Sequence, residues 1–303
     1  MAKPTLEDFK KRLDKIDSEI FTLLSAKKEY FSFRVNLHKA TASEVVTALK
    51  KDGFQPIELK ELKNCYMLPI DDRKKVTKTT TYTNGLIYIQ SLSSIYAALE
   101  LGVKKSDWVL DLAAAPGGKS LIFSEIANKV SAVEPDKSRF FAMKRNFKNM
   151  GAKNIQTYNK DGRFVYKATR EWFDKVFLDA PCSSEAHIDI EKGITWWSTR
   201  RIYKFAKLQK ELIVSAFESL KCGGEMIYAT CTFAPEENEA VVNYLLKKYP
   251  NAKVVAPTTK LPNIKSGIRS WYEENYSSEL NKSVRILPNK AYSGFFFCKI
   301  KKL

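Results

Sequence analysis

The 303-residue sequence predicts an α/β protein, a doubly wound parallel sheet preceded by a small α+β domain. Three observations carry this. Between residues 108 and 249, apolar runs of strand length alternate with helix-length amphipathic segments, the pattern of repeated βα units. A turn of small residues, Ala113-Ala114-Ala115-Pro116-Gly117-Gly118, joins the first such run to its helix. Two later runs close on a cysteine, VFLDAPC at 176–182 and MIYATCT at 226–232. Side chains just past the carboxyl ends of parallel strands line the ligand crevice.

Taken in order, residues 5–28 carry Leu6, Phe9, Leu13, Ile16, Ile20, Leu23 and Leu24 at helical spacing and predict one amphipathic helix. Residues 30–37 alternate like a strand. Thr41-Ala42-Ser43-Glu44 is a capping run ahead of a helix over 45–51. Segments 57–62 and 65–70 read as short strands. The charged stretch 71–75 and the threonine-rich 77–83 place a boundary there, dividing 1–76 from 77–303. In the second part, strands are expected at 108–112, 130–134, 154–158, 174–179 and 225–230, with helices at 117–128, 137–149, 201–220 and 236–249. Segments 252–256, 284–287 and 295–300 add strands to the tail.

Composition narrows the function. A net charge of +17 points to a polyanion partner, and residues 253–303 are the densest part of the excess, ten basic side chains against three acidic. A uniformly lysine-rich composition gives the same excess without a partner. No apolar run approaches the ~20 residues of a membrane span, and the amino terminus has no apolar signal core. The five cysteines form no CxxC pair, which indicates neither a disulfide framework nor a zinc site. The expectation is a metal-free, cytoplasmic monomer with no membrane partner.

The run DLAAAPGGKS at 111–120 follows a strand and opens a helix. Small residues let the backbone approach a ligand, and a helix amino terminus offers free N–H groups. The run matches neither G-x-G-x-x-G nor G-x-x-x-x-G-K-[ST]. Glu134 ends the second strand, where a carboxylate accepts hydrogen bonds from ribose hydroxyls; a solvated acid ahead of the next helix is the other reading. Asp161 ends the third strand, near where an adenine edge would lie. Each cysteine alone reads equally as a small buried apolar side chain.

DLAAAPGGKS, LDAPCSSE and YATCTFAPEENEA resemble the RNA cytosine-5 methyltransferases of the NOL/NOP/Sun (Fmu-like) family. SFRVNLHKA at 32–40 is similar to that family's amino-terminal RNA-interacting module, YIQSLSS at 88–94 to its next motif, and VRILPNKAYSGFFFCKI at 284–300 to its closing hairpin. The resemblance covers most of the chain. It implies a Rossmann-like methyltransferase sheet, S-adenosylmethionine as methyl donor, and a cytosine in structured RNA as acceptor, rRNA ahead of tRNA. Ala113, Ala114, Ala115, Pro116, Gly117, Gly118 and Lys119 would form the donor loop. Glu134 would hold the donor's ribose, Asp161 its adenine, and Asp179 would stand between donor and target base. Cys231 would be the nucleophile, Cys182 the residue that helps release product, and Lys119 a helper of Asp179. Thr232 stands where many members have serine.

The chemistry accounts for the residue types. Cytosine carbon 5 is a poor nucleophile, and thiolate addition at carbon 6 makes it enamine-like. Afterwards a base must take the carbon 5 proton so that the thiol can leave. Of the two histidines, His38 and His187 have no metal-ligand spacing and are expected to stand outside catalysis. Trp196-Trp197 suits base stacking, and core packing more. Lys10-Lys11-Arg12, Lys27-Lys28 and Arg200-Arg201 suit phosphates or a solvated face; Cys65, Cys222 and Cys298 are read as structural. The rival readings are a methyltransferase acting on DNA or protein, with Cys182 as nucleophile in the DNA case, and a non-catalytic RNA-binding scaffold.

Overall fold

The computed structural model describes residues 4–194, 196–258, 261 and 263–303. The amino-terminal amphipathic segment forms two helices, Leu6–Ile16 and Ile20–Ser25, where the periodicity predicts one. The break falls at Asp17, whose backbone is extended and whose carboxylate accepts from the Glu19 N–H at 3.0 Å; aspartate competes in this way for local N–H groups. The first helix packs away from the small sheet. Its Phe9 and Leu13 share a core with Trp197, Ile202, Phe233 and Leu287.

The small sheet contains β1 (Tyr30–Val35), β2 (Ile57–Glu58), β3 (Cys65–Pro69) and β4 (Ile87–Ile89), in the order β2-β3-β1-β4, all antiparallel. The helix Ala42–Lys51 packs on it through Val45 and Leu49, and the expected capping box at Thr41 and Glu44 is formed. Its fourth strand thus comes from beyond residue 77. Arg34 on β1 ties this sheet to the larger unit: it pairs with Glu125 at 2.5 Å and reaches the carbonyl of Gly118 at 3.5 Å.

The large sheet begins with β5 (Trp108–Asp111), β6 (Lys129–Val133), β7 (Ile155–Tyr158), β8 (Phe173–Asp179) and β9 (Leu220–Thr230), which are parallel in the order β7-β6-β5-β8-β9. The remaining strands are β10 (Ala252–Val255), β11 (Ile264–Ser266), the separate hairpin β12 (Ser270–Trp271) and β13 (Glu274–Asn275), β14 (Val284–Ile286) and β15 (Phe295–Lys302). β15 lies antiparallel to β9, and its other edge is shared by β14 and β10. All five parallel strands and four long helices, at Gly118–Ser124, Lys137–Met150, Thr199–Ser219 and Glu239–Lys248, fall within a few residues of their expected positions. Val109, Leu110, Val130, Val176, Phe177, Leu178, Met226 and Ile227 are almost wholly buried, the continuous apolar strands of a sheet covered on both faces. The strand order reverses between β5 and β8, so the crevice lies beyond the carboxyl ends of β5, β6, β8 and β9.

Candidate active site

The turn after β5 is shaped by glycine. Gly117 has φ of 104°, and a Cβ there would come within 2.5 Å of the Phe147 ring; only glycine fits. The backbone at Gly118 is pressed against Tyr88 and Gln90 of the small sheet and its flank, where a Cβ would meet Tyr88 at 2.9 Å. Beneath the turn, Asp111 is buried and accepts from the Ser120 hydroxyl at 2.6 Å. Burial pushes its carboxyl up to about 6.

A cleft of about 560 Å³ opens beyond the strand ends. It brings together Ala113, Ala115, Glu134, Asp161, Asp179, Cys182 and Cys231 on one continuous wall. Ala114, Pro116, Gly117, Gly118 and Lys119 of the same turn do not line it. Lys119 reaches the cleft through Asp179, with Nζ 2.5 Å from the carboxylate. Burial pulls against the Lys119 charge, and Asp179 more than offsets this, holding its pKa above the ordinary value. Glu134 is buried; Oε1 accepts from the Asp136 N–H at 3.0 Å, while Oε2 has a 3.5 Å ion pair with the half-exposed Arg139. Asp161 caps a short helix and is gripped by Arg163 at 2.7 Å, which lowers its pKa. A larger hollow of about 690 Å³ lies against β5, β6 and β7, walled by Trp108, Tyr158, Phe164 and Trp172. It shares Asp161 and holds neither cysteine, so the chemistry belongs to the smaller cleft.

The two cysteines come from neighbouring strand ends, and their sulfurs are 3.3 Å apart. The Ser184 hydroxyl lies 3.6 Å from Cys231 and 3.8 Å from Cys182. The pair is polarised. The Cys182 thiol donates to Cys231 and lowers its pKa against the opposing effect of burial, with His187 adding to the same shift. The pKa of Cys182 rises through that same bond and through burial. Cys231 is therefore the sulfur disposed to be a thiolate, and thiolate is the nucleophilic form.

Sequence reasoning missed what holds this pair. Glu185, fully buried, accepts from Trp197 Nε1 at 2.8 Å, the Thr232 hydroxyl at 2.8 Å and the Phe233 N–H at 3.0 Å. It pins the Cys182 loop to the Cys231 loop. Glu237 does the same one layer down, accepting from the Ser183 N–H and from Gln209, each at 2.9 Å. His187, expected outside catalysis, stands close enough to the Cys231 sulfur to help lower the thiol's pKa, and its own is raised in return; Ser184, in the left-handed region at φ 61°, turns the chain so that position 187 returns toward the thiol. Ser183, Ser184 and Glu185 lie inside the LDAPCSSE motif and His187 two residues beyond it, and their closeness to Cys182 was the available signal. Trp197 packs in the core, edge-on to Phe9 at 5.1 Å, while Trp196 is exposed beside Arg201. Among the described residues no group of side chains is arranged to hold a metal, and no helix is long and apolar enough to cross a membrane.

A family model described as 16S rRNA methyltransferase RsmB/F matches residues 98–301. The chain belongs to that family. Among its relatives is a protein of Pyrococcus abyssi named tRNA (cytosine(49)-C(5))-methyltransferase, 33% identical over 98% of each chain. Another, from Shewanella piezotolerans and named Ribosomal RNA small subunit methyltransferase F, is 34% identical over 94% of this chain. The chain spans only 60% of that bacterial protein's length. The crystal structure of a methyltransferase homolog protein from Pyrococcus horikoshii superposes with a TM-score of 0.81 at 28% identity, over 94% of this chain and 90% of that one. The fold is thus the α/β methyltransferase fold that the motifs imply.

Proposed function

We propose that this chain transfers a methyl group from S-adenosylmethionine to carbon 5 of a cytosine in RNA, with Cys231 as the nucleophile. The observation that carries the reading is the polarised thiol pair on the wall of a cleft that also holds Glu134 and Asp161. The cleft suits the donor. The buried Glu134 carboxylate has an oxygen with only a long contact to Arg139, free to take ribose hydroxyls. S-adenosylmethionine supplies the methyl on a sulfonium.

In this reading the Cys231 thiolate bonds to carbon 6 of the base, and electron density moves to carbon 5, which accepts the methyl. Asp179, neutralised by Lys119, holds the ring edge and stabilises charge that develops on it. Once Cys231 is bonded to carbon it no longer accepts from Cys182, which is then placed to release its proton to solvent and, as the thiolate, to take the carbon 5 proton, whose bonding electrons restore the ring double bond as the sulfur–carbon bond breaks. Residues 1–76 would contact the RNA, which the positive charge favours. The rRNA assignment follows the sequence motifs; the match along the whole of the tRNA-modifying relative favours tRNA as a second reading.

The test is covalent trapping. Cys182→Ala should form the sulfur–carbon bond, methylate and stall, giving a protein–RNA band that survives a denaturing gel. Cys231→Ala should bind RNA without that band, and the double variant should lose it. A band in Cys231→Ala that depends on Cys182 reverses the roles and removes the reading.

A further inference from the structure

His187 is absent from every motif in the sequence, yet its loop is tied to the backbone of Cys231. Three features put it there. Ala186 donates its N–H to the Cys231 carbonyl at 3.2 Å, fixing the loop one residue before His187 against the nucleophile's own backbone. His187 N–H returns to the Ser184 carbonyl at 2.9 Å, closing a tight turn, and the Ser184 hydroxyl is itself 3.6 Å from the sulfur. The imidazole is thereby held beside that sulfur, where the two charges favour one another, raising the pKa of the ring and lowering that of the thiol. It also lines a second cleft of about 510 Å³, bounded by Lys28, Ile70 and Asn289, which shares no lining residue with the cleft that holds the cysteines.

We propose that His187 is a positioning residue for the methyl transfer, its imidazolium holding Cys231 as a thiolate pointed at the incoming base. The inference rests on the function proposed above. Other charges near the thiol do not replace it. Lys119 is committed to Asp179 at 2.5 Å, so that pair presents little net charge to the sulfur. Lys28 is bonded to the Ser293 hydroxyl and faces His187. Cys182 donates a proton without carrying charge, with Glu237 behind it. The proton moves from Cys231 Sγ to the ring, where it stays while sulfur is bonded to carbon 6; elimination returns the same ion pair, and the one proton released over the cycle is the proton that leaves carbon 5.

The shift has a distinctive kinetic signature. If replacing the imidazolium raised the thiol pKa by one unit, thiolate would fall about tenfold at low pH while each thiolate became about threefold more nucleophilic, since reactivity rises with about half the slope of basicity. The alkylation curves should therefore cross. The experiment measures carbamidomethylation of Cys231 by iodoacetamide from pH 5 to 10, read on its own peptide by mass spectrometry, for wild type, His187→Gln and His187→Lys. His187 is exposed, so these variants should fold. Relative to wild type, His187→Gln should react about threefold more slowly below both midpoints and about threefold faster above both. His187→Lys, which keeps the cation, should follow wild type. In methyl-transfer assays at pH 7, His187→Gln should lower kcat and leave KM for RNA unchanged. Superimposed curves, a uniform offset at every pH, or His187→Lys following His187→Gln would overturn the proposal. Crossing alkylation curves in a protein that methylates no RNA would sink the proposed function and leave the thiolate pair standing.

Discussion

Glu185 offers the most exacting test of how the two cysteine loops are held. Its two carboxylate oxygens receive three donors: Trp197 Nε1 on one, the Thr232 hydroxyl and Phe233 N–H on the other. Glutamine is nearly the same shape but has one acceptor oxygen and an NH₂ group. With the amide oxygen turned toward Thr232 and Phe233, the NH₂ faces the indole N–H, donor against donor, in a site with no exposure. One buried donor left unpaired costs about 1–3 kcal/mol. The two retained bonds also lose their charge assistance, which weakens each further. Glu185→Gln should therefore destabilise by about 2–4 kcal/mol, or roughly 3–6 °C in Tm for a chain of this size. Trp197→Phe removes the opposed indole donor, so in that background the same Glu185→Gln change should cost about 1–2 kcal/mol less. Urea denaturation of the four proteins closes the cycle. Additive costs, or a loss below about 0.5 kcal/mol for Glu185→Gln alone, would refute the view that this carboxylate is the clasp between the loops.

Glu134→Ala should weaken S-adenosylmethionine binding by about tenfold, the loss of a charge-assisted pair of hydrogen bonds, as read by calorimetry; unchanged affinity would take Glu134 out of the donor site. Burial pushes the Glu237 carboxyl up to about 8, well above its unfolded value near ~4.3. Its folded state therefore holds a proton that the unfolded state has released, and the stability this confers is lost as pH rises through about 8. Between pH 6 and 8 the stability of wild type should fall relative to Glu237→Gln, by at most about 1.4 kcal/mol per pH unit; parallel stability curves for the two would contradict it.

The sheet was legible because its strands are buried on both faces and therefore read as unbroken apolar runs, Val176-Phe177-Leu178 and Met226-Ile227-Tyr228 above all. Glu134, Asp161, Asp179 and both cysteines were legible because a strand's carboxyl end is a fixed address in such a sheet. What escaped is contact between loops. Nothing in periodicity distinguishes the Glu185 that joins Thr232 to Trp197 from an exposed acid, and a histidine five residues after Cys182 reaches Cys231 only because Ser184 adopts a positive φ. The break at Asp17 was hidden for a related reason, since the apolar spacing runs through it and only a side-chain bond to the Glu19 N–H ends the helix.

The first helix has a consequence for how the chain is made. Phe9 and Leu13 are wholly covered by Trp197, Phe233 and their neighbours, and Arg12 is paired with Glu236, 224 residues further along, at 2.5 Å. At a synthesis rate of about 5–20 residues per second, the helix waits roughly 10–45 s for its seat to emerge. During that time a segment with an apolar stripe and a face of mixed charge is free in solution. A segment translated ahead of the sheet thus docks only after β9 has been made, against Phe233, two residues beyond the reactive sulfur. A nascent chain stopped short of Glu236 would hold its complete donor turn with that contact unmade.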